Sequence, residues 1–128
     1  MIAASTLSRF WRGVGWFGVA LLLYLSLTPV PPEIHVGNGD KIGHALAYAT
    51  LMFWWGQLVS GFSRRLLLGA ALALLGIVLE FVQGWTGWRT FDTNDMLANA
   101  AGVALGWVLV ALLPNLIGLA GRGGRRRD

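Results

Sequence analysis

The stretch LLLGAALALLGIVLEFVQ, residues 66–83, indicates the class of protein, because its eighteen residues carry a single charged side chain. A helix of about 20 apolar residues crosses the roughly 30 Å of hydrocarbon in a bilayer. Three more runs of this kind cover about residues 14–30, 42–60 and 96–119. The sequence therefore predicts an all-α, polytopic membrane protein built as a four-transmembrane-helix bundle.

The composition of the 128 residues agrees with this class. Hydrophobic residues make up 55% and charged residues 12%, against roughly 25% charged in soluble domains. The absence of cysteine excludes disulfides and thiolate metal sites. The net charge of +4 lies in short clusters beside apolar runs, without a motif for reading a groove, so we expect no nucleic-acid partner. Residues 1–128 form one domain without repeats or linkers.

The ends of the chain are basic. Arg9 and Arg12 precede the first run, as in a signal peptide, but the run is long and lacks a small-residue cleavage site, so we interpret it as a retained helix. Pro29 should stop this helix, since proline cannot continue one. We expect the basic tail, residues 120–128, to be disordered and close to the inner membrane surface.

The basic residues also predict an orientation, because cytoplasmic loops of membrane proteins are enriched in Lys and Arg. Eight of the ten basic residues precede the first run, lie between the second and third, or follow the fourth. Lys41 and Arg89 alone lie in the other two connections. Both termini are therefore predicted to be cytoplasmic, and the connections around residues 31–40 and 84–92 are predicted to face outward.

Polar residues gather near these outward connections. His44 and Tyr48 are four residues apart and share a helical face, as do Asp95 and Asn99. Five of the six acidic residues belong to this side, Glu33 among them. The predicted polar cluster comprises Asp40, Lys41, His44, Tyr48, Glu80, Gln83, Arg89, Asp92, Asp95 and Asn99. Asp40, Asp92 and Asp95 also lie where they can cap helix N-termini, which is the simpler interpretation of these three.

Glu80 is the most informative member, because it lies inside the apolar run. A carboxylate at the bilayer centre costs roughly 2.5–3.5 kcal/mol, and less near the edge. The negative end of the helix dipole adds to that cost. We therefore expect Glu80 to be protonated or paired, with Lys41 or Arg89 reaching it.

These residues, in this order, resemble the VanZ-like family of bacterial membrane proteins. The pattern covers D-K-x-x-H-x-x-x-Y at residues 40–48, E-x-x-Q at 80–83, and R-x-x-D-x-x-D-x-x-x-N-x-x-G-x-x-x-G at 89–106. The resemblance extends over about residues 14–113 and implies a multi-pass protein of the bacterial inner membrane. The founding member is associated with low-level resistance to teicoplanin, a lipid-tailed glycopeptide, but the resemblance supplies no molecular mechanism.

Three hypotheses about function follow. In the first, the polar cluster faces the periplasm or cell exterior and binds an envelope lipid, a lipid-linked precursor or a lipophilic glycopeptide, with Lys41 and Arg89 holding an anionic head group. In the second, the protein is an enzyme that acts on such a lipid by acid/base chemistry, with His44, Glu80 and Asp95 as catalytic candidates. In the third, the cluster is a structural network without a ligand.

The smaller features support few further predictions. Gly102 and Gly106 form a small-residue step for close helix packing, which could serve a neighbouring helix or a homo-oligomer. A metal held by His44, Glu80 and Asp95 is a minor alternative, since no zinc-type motif is present. We expect no cofactor, and the expected partners are membrane lipids and a lipid-linked envelope molecule.

Overall fold

Helices alone form the regular structure of the described residues in the computed structural model, which describes residues 4–32, 35 and 37–123. Glu33 lies outside this part of the chain. The helices are α1 Ala4–Leu27, α2 Gly39–Leu58, α3 Phe62–Thr86, α4 Thr93–Leu112 and α5 Leu116–Gly123. The predicted all-α class is confirmed.

Proline and glycine set several helix boundaries. Helix α1 starts earlier than the predicted residue 14 and ends at Leu27, because a residue before proline avoids the helical conformation and Pro29 follows closely. Helix α3 ends at Thr86, and its C-cap Gly87 has a φ of 80° that glycine adopts without strain. The prediction of one helix over 96–119 is wrong, because Pro114 separates α4 from α5.

The prediction for the tail is corrected in part. Residues 120–123, which were expected to be disordered, belong to the short helix α5. Residues 124–128 lie outside the described part of the chain.

Three helical segments are long and apolar enough to cross a membrane: Thr6–Leu27, Phe62–Thr86 and Thr93–Leu112. Helix α2 has comparable length, 20 residues, but is not among them. It carries Asp40, Lys41, His44 and Gln57, which lower its hydropathy. The predicted count of four spanning helices is thus supported for three.

Helix α2 lies at the centre of the bundle and contacts each of the other four helices, α4 most extensively. Gly102 and Gly106 make this contact close. A Cβ at Gly102 would collide with the carbonyl oxygen of Ala45, and one at Gly106 would lie 2.5 Å from that of Ala49. The predicted small-residue step is therefore used within the chain, between α4 and α2.

The apolar core lies along α2, where it meets α1, α3 and α4. Met52 is completely buried and Tyr48 is 1% exposed. The buried cluster comprises Leu22, Tyr48, Leu51, Met52, Leu72, Leu79 and Val103. Tyr48, which was predicted to belong to the polar cluster, thus packs mainly against apolar side chains, directly beneath that cluster.

Candidate functional site

The charged residues meet at the end of the bundle where α1 and α3 finish and where α2 and α4 start, called here the polar end. Lys41 of α2 is the centre of this cluster. Its Nζ donates to Asp92 Oδ2 at 2.9 Å, to Asp95 Oδ1 at 3.0 Å and to Asp40 Oδ2 at 3.2 Å. One ammonium group therefore serves three carboxylates and ties the first turn of α2 to the first turn of α4.

Asp92 has two roles at this junction. It is the N-cap of α4, and its Oδ1 accepts the backbone N–H of Asn94 at 2.8 Å. The Lys41 ammonium and the Asn94 N–H both stabilise the charged carboxylate and hold the pKa of Asp92 below its usual range. The capping interpretation of Asp92 is therefore correct but incomplete.

His44 lies one turn below Lys41 and is fully engaged within the bundle. Its Nδ1 is 3.0 Å from Asn99 Oδ1, and its Nε2 is 3.5 Å from Asp95 Oδ2. Asn99 is buried against Gly76, where a Cβ would lie 3.0 Å from the Asn99 amide nitrogen. The absence of a side chain at position 76 thus makes room for the amide that orients His44.

Glu80 is buried but takes no part in the ion pairs. It is 1% exposed, and its Oε1 accepts the backbone N–H of Asp92 at 2.7 Å. Its Oε2 has no hydrogen-bond partner in the part of the chain that the structure describes. The prediction that Lys41 or Arg89 reaches Glu80 is wrong for the described residues. Three other carboxylates hold Lys41, and one carboxylate oxygen of Glu80 accepts a backbone N–H in place of a cation.

Gln83 acts as a cap for the neighbouring helix. Its side-chain nitrogen donates to the carbonyl oxygen of Ser26 at 2.8 Å. The indole nitrogen of Trp88 donates to the carbonyl oxygen of Leu27 at 3.4 Å. The last carbonyl groups of a helix lack partners within the helix, so these two bonds satisfy the end of α1. Ser26 gives no signal in the sequence, because its backbone oxygen makes the contact.

Arg89 differs from every other charged member of the cluster. Among the described residues it makes no hydrogen bond or ion pair, and its buried Nη1 has no partner. It lines a groove of about 700 Å³ between α1 and α2, together with His44, Gln83 and Asp40. Below these polar residues, the groove walls are largely apolar and include Gly18, Leu21, Leu22, Leu25, Leu46, Ala47, Thr50 and Leu51.

The structure thus brings most, but not all, of the predicted polar residues together. Asp40, Lys41, His44, Asp92, Asp95 and Asn99 form one bonded network, with Glu80 attached through the backbone of Asp92. Arg89 stands beside the groove, and Tyr48 lies in the core. Within the described residues, no group of three or more His, Asp or Glu side chains is placed to hold a metal ion, the trio His44, Glu80 and Asp95 included.

Comparison with known proteins identifies the family of the chain. The VanZ/LLP1 family model matches residues 3–114, so the chain belongs to this family, as the motifs predicted. With three apolar helices, membership indicates a membrane protein.

One relative of the chain is an uncharacterized protein of Schizosaccharomyces pombe. The two sequences are 31% identical over 105 residues, which cover 77% of this chain. The chain spans 60% of the length of that relative. No solved structure matches the chain.

Proposed function

We propose that the protein binds an amphiphilic envelope molecule, a lipid or lipid-linked precursor, in the groove between α1 and α2. The apolar tail lies along the groove, and an anionic head group lies against Arg89. A lipophilic glycopeptide belongs to the same chemical class, so a role like teicoplanin resistance is one form of this proposal. The observation that carries it is the Arg89 guanidinium, which has no partner among the described residues and lies at the polar end of a largely apolar groove.

The size and lining of the groove fit such a ligand. Its volume of about 700 Å³ lies within the roughly 300–1,000 Å³ of small-molecule sites. On α2 its lining runs from Gly39 to Leu51, which spans roughly 18 Å at 1.5 Å per residue. An acyl chain can therefore follow the helices while its head group stays among Asp40, His44, Gln83 and Arg89.

Charge supports an anionic group at Arg89. An arginine held partly out of water gains most from a partner that takes its forked N–H groups, such as a phosphate or carboxylate. Lys41 cannot take that role as readily, because three carboxylates already occupy it. No acidic side chain of the described residues pairs with Arg89, which leaves its charge for a ligand.

The proposed setting is the bacterial inner membrane, with α1 to α4 all spanning and both termini in the cytoplasm. Helix α2 can span because Lys41 and His44 bond to α4 and Gln57 bonds to the start of α5. Polar groups in membranes are tolerated where they face the bundle interior. The polar end then faces the periplasm or the cell exterior. The distribution of Lys and Arg in the sequence supports this orientation.

An enzyme that uses acid/base chemistry on the same lipid is the alternative. His44 lines the groove and lies 3.5 Å from Asp95, as a general base and its orienting carboxylate would. However, both ring nitrogens of His44 already face polar atoms of α4. Binding is therefore the better-supported function of the site.

Lipid that copurifies with the protein tests the proposal. The protein is extracted in mild detergent, and bound lipids are counted per protein by native mass spectrometry. Arg89→Gln removes the head-group contact, and Thr50→Trp fills the groove at an exposed position of α2. Arg89→Gln should reduce bound lipid by roughly tenfold, the effect of losing a charge-assisted contact worth about 1.4 kcal/mol. Thr50→Trp should reduce bound lipid because its ring takes the space of the acyl chain.

Two matched variants control this experiment. Arg64→Gln removes an exposed arginine at the start of α3, and Leu74→Trp adds a ring on an exposed face of α3 away from the groove. Neither should change the amount of bound lipid. Equal lipid in all five proteins would overturn the proposal.

Single cysteines test the orientation, because the natural chain has none. A cysteine at Thr90, exposed at the polar end, should react with a membrane-impermeant maleimide added to intact spheroplasts. A cysteine at Ser63, exposed in the first turn of α3, should react only after the membrane is permeabilised. Labelling of position 63 in intact spheroplasts would contradict the proposed orientation.

A further inference from the structure

We infer that the head group bound at the polar end is zwitterionic, with an anionic group against Arg89 and an ammonium group against Asp40. This inference rests on the proposed lipid site and narrows its ligand. Phosphoethanolamine lipids have this chemistry, whereas phosphatidylglycerol carries the anion alone. The inference follows from the charges that the protein itself leaves uncompensated around the groove.

The bonded network at the polar end is acidic. Lys41 provides one positive charge for the carboxylates of Asp40, Asp92 and Asp95. Two negative charges are therefore left over among these side chains. A purely anionic head group at Arg89 would therefore enter a site with an adjoining surplus of like charge, which disfavours it.

Asp40 is the carboxylate of this network that is best placed to bind a positively charged group of a ligand. Its side chain is 61% exposed, compared with 35% for Asp92 and 11% for Asp95. It also makes the longest of the three contacts with Lys41, at 3.2 Å. Asp40 and Arg89 both line the groove, so a carboxylate and a guanidinium face the same space.

A head group with both charges satisfies the two side chains together. The phosphate accepts the forked N–H groups of Arg89, and the ammonium donates to the Asp40 carboxylate, as a charge-assisted hydrogen bond. Asp92 and Asp95 stay with Lys41 and His44 and keep α2 joined to α4. Because Lys41 bonds to the carboxylates that join α2 to α4, it does not neutralise the negative charge beside the groove.

Competition between two lipids with identical acyl chains tests the inference. Purified protein is mixed with equal amounts of phosphatidylethanolamine and phosphatidylglycerol, and the bound lipids are counted by native mass spectrometry. The natural chain should prefer phosphatidylethanolamine by roughly five- to tenfold, as expected for one added charge-assisted contact. Asp40→Asn should lose this preference but still bind lipid, and Asp40→Glu should restore most of it.

The outcomes separate this inference from the function on which it rests. One outcome is that the natural chain binds the two lipids equally or prefers phosphatidylglycerol, while Arg89→Gln loses the binding of both lipids. This outcome would overturn the zwitterionic head group and leave the lipid site intact. Retention of both lipids in Arg89→Gln at the level of the natural chain would overturn the lipid site as well. An Asp40→Asn protein that keeps the preference would overturn the role of Asp40.

Discussion

Two contacts of helix α2 differ in kind: the contact with α4 is closed, and the contact with α1 is open. Toward α4, glycines bring the backbones together, and Lys41 and His44 bond across the interface. Toward α1, the helices leave a groove lined by Arg89, which has no partner within residues 4–32, 35 and 37–123. The closed side thus holds the polar network in place, and the open side has the room and the free charge that a ligand requires.

The largest effect is expected from a substitution that disrupts the closed contact between α2 and α4. In Gly102→Ala the new Cβ would collide with the carbonyl oxygen of Ala45, which is backbone and cannot rotate away. Overpacking of this kind costs about 1–3 kcal/mol. We expect a lower free energy of unfolding in detergent and loss of the Lys41 bonds to α4.

Gly69→Ala is the matched control, because its Cβ would lie at an ordinary 3.5 Å from Val103. This change should be neutral or stabilise α3 by up to about 1 kcal/mol through helix propensity. Equal loss of stability in the two variants would show that the close approach of α4 to α2 is not what Gly102 provides.

A second, more local effect is expected at Glu80. Glu80→Leu removes the acceptor of the Asp92 N–H, and an unsatisfied buried donor costs about 1–3 kcal/mol. Hydrogen exchange at the Asp92 amide should therefore become roughly ten- to hundredfold faster. Glu80→Gln keeps an acceptor oxygen and should keep the protection, so loss of protection in Glu80→Gln would contradict this role.

The third prediction concerns pH and Lys41. Because the pKa of Asp92 is lowered in the folded protein, the stability that this carboxylate contributes is present above its unfolded pKa and is lost as pH falls through its folded pKa. Lys41→Met leaves three carboxylates without their cation, so it should lower the melting temperature at pH 7. The deficit should shrink at pH values below about 4, where free carboxyl groups protonate. A deficit that does not change with pH would contradict the electrostatic explanation.

The smallest effect on stability is expected on the open side. Arg89→Gln removes no hydrogen bond or ion pair among the described residues, so its free energy of unfolding in lipid-free detergent should stay within about 0.5 kcal/mol of the natural value. Thermal melting measures this change. A large loss of stability would show that Arg89 belongs to the closed, structural side of the comparison.

The sequence predicted the closed side better than the open side. Residue spacing placed His44 on one face of α2, and Asp95 and Asn99 on one face of α4, and these are the residues that bond. The partner of Glu80 could not be predicted, because it is a backbone N–H whose position depends on the fold of the 87–92 connection. Pro114 was visible in the sequence, but the apolar residues on both sides of it favoured one continuous helix.

The groove between α1 and α2 could not be predicted from the sequence either. Its walls are ordinary apolar residues of α1 and α2, such as Leu21 and Leu46, which in a membrane helix carry no signal of their own. Whether two helices touch or stand apart depends on their packing angles and on neighbours such as Gln83, which holds the end of α1. The sequence identified Arg89 as a candidate site residue, but it could not predict that Arg89 has no partner among the described residues.

An experimental structure of the protein in lipid nanodiscs tests the central claim most directly. We predict density for an acyl chain between α1 and α2, running past Leu21 and Leu46, with a head group in contact with the Arg89 guanidinium. A groove closed by contact of α1 with α2, with Arg89 paired to a carboxylate of the protein, would contradict the claim.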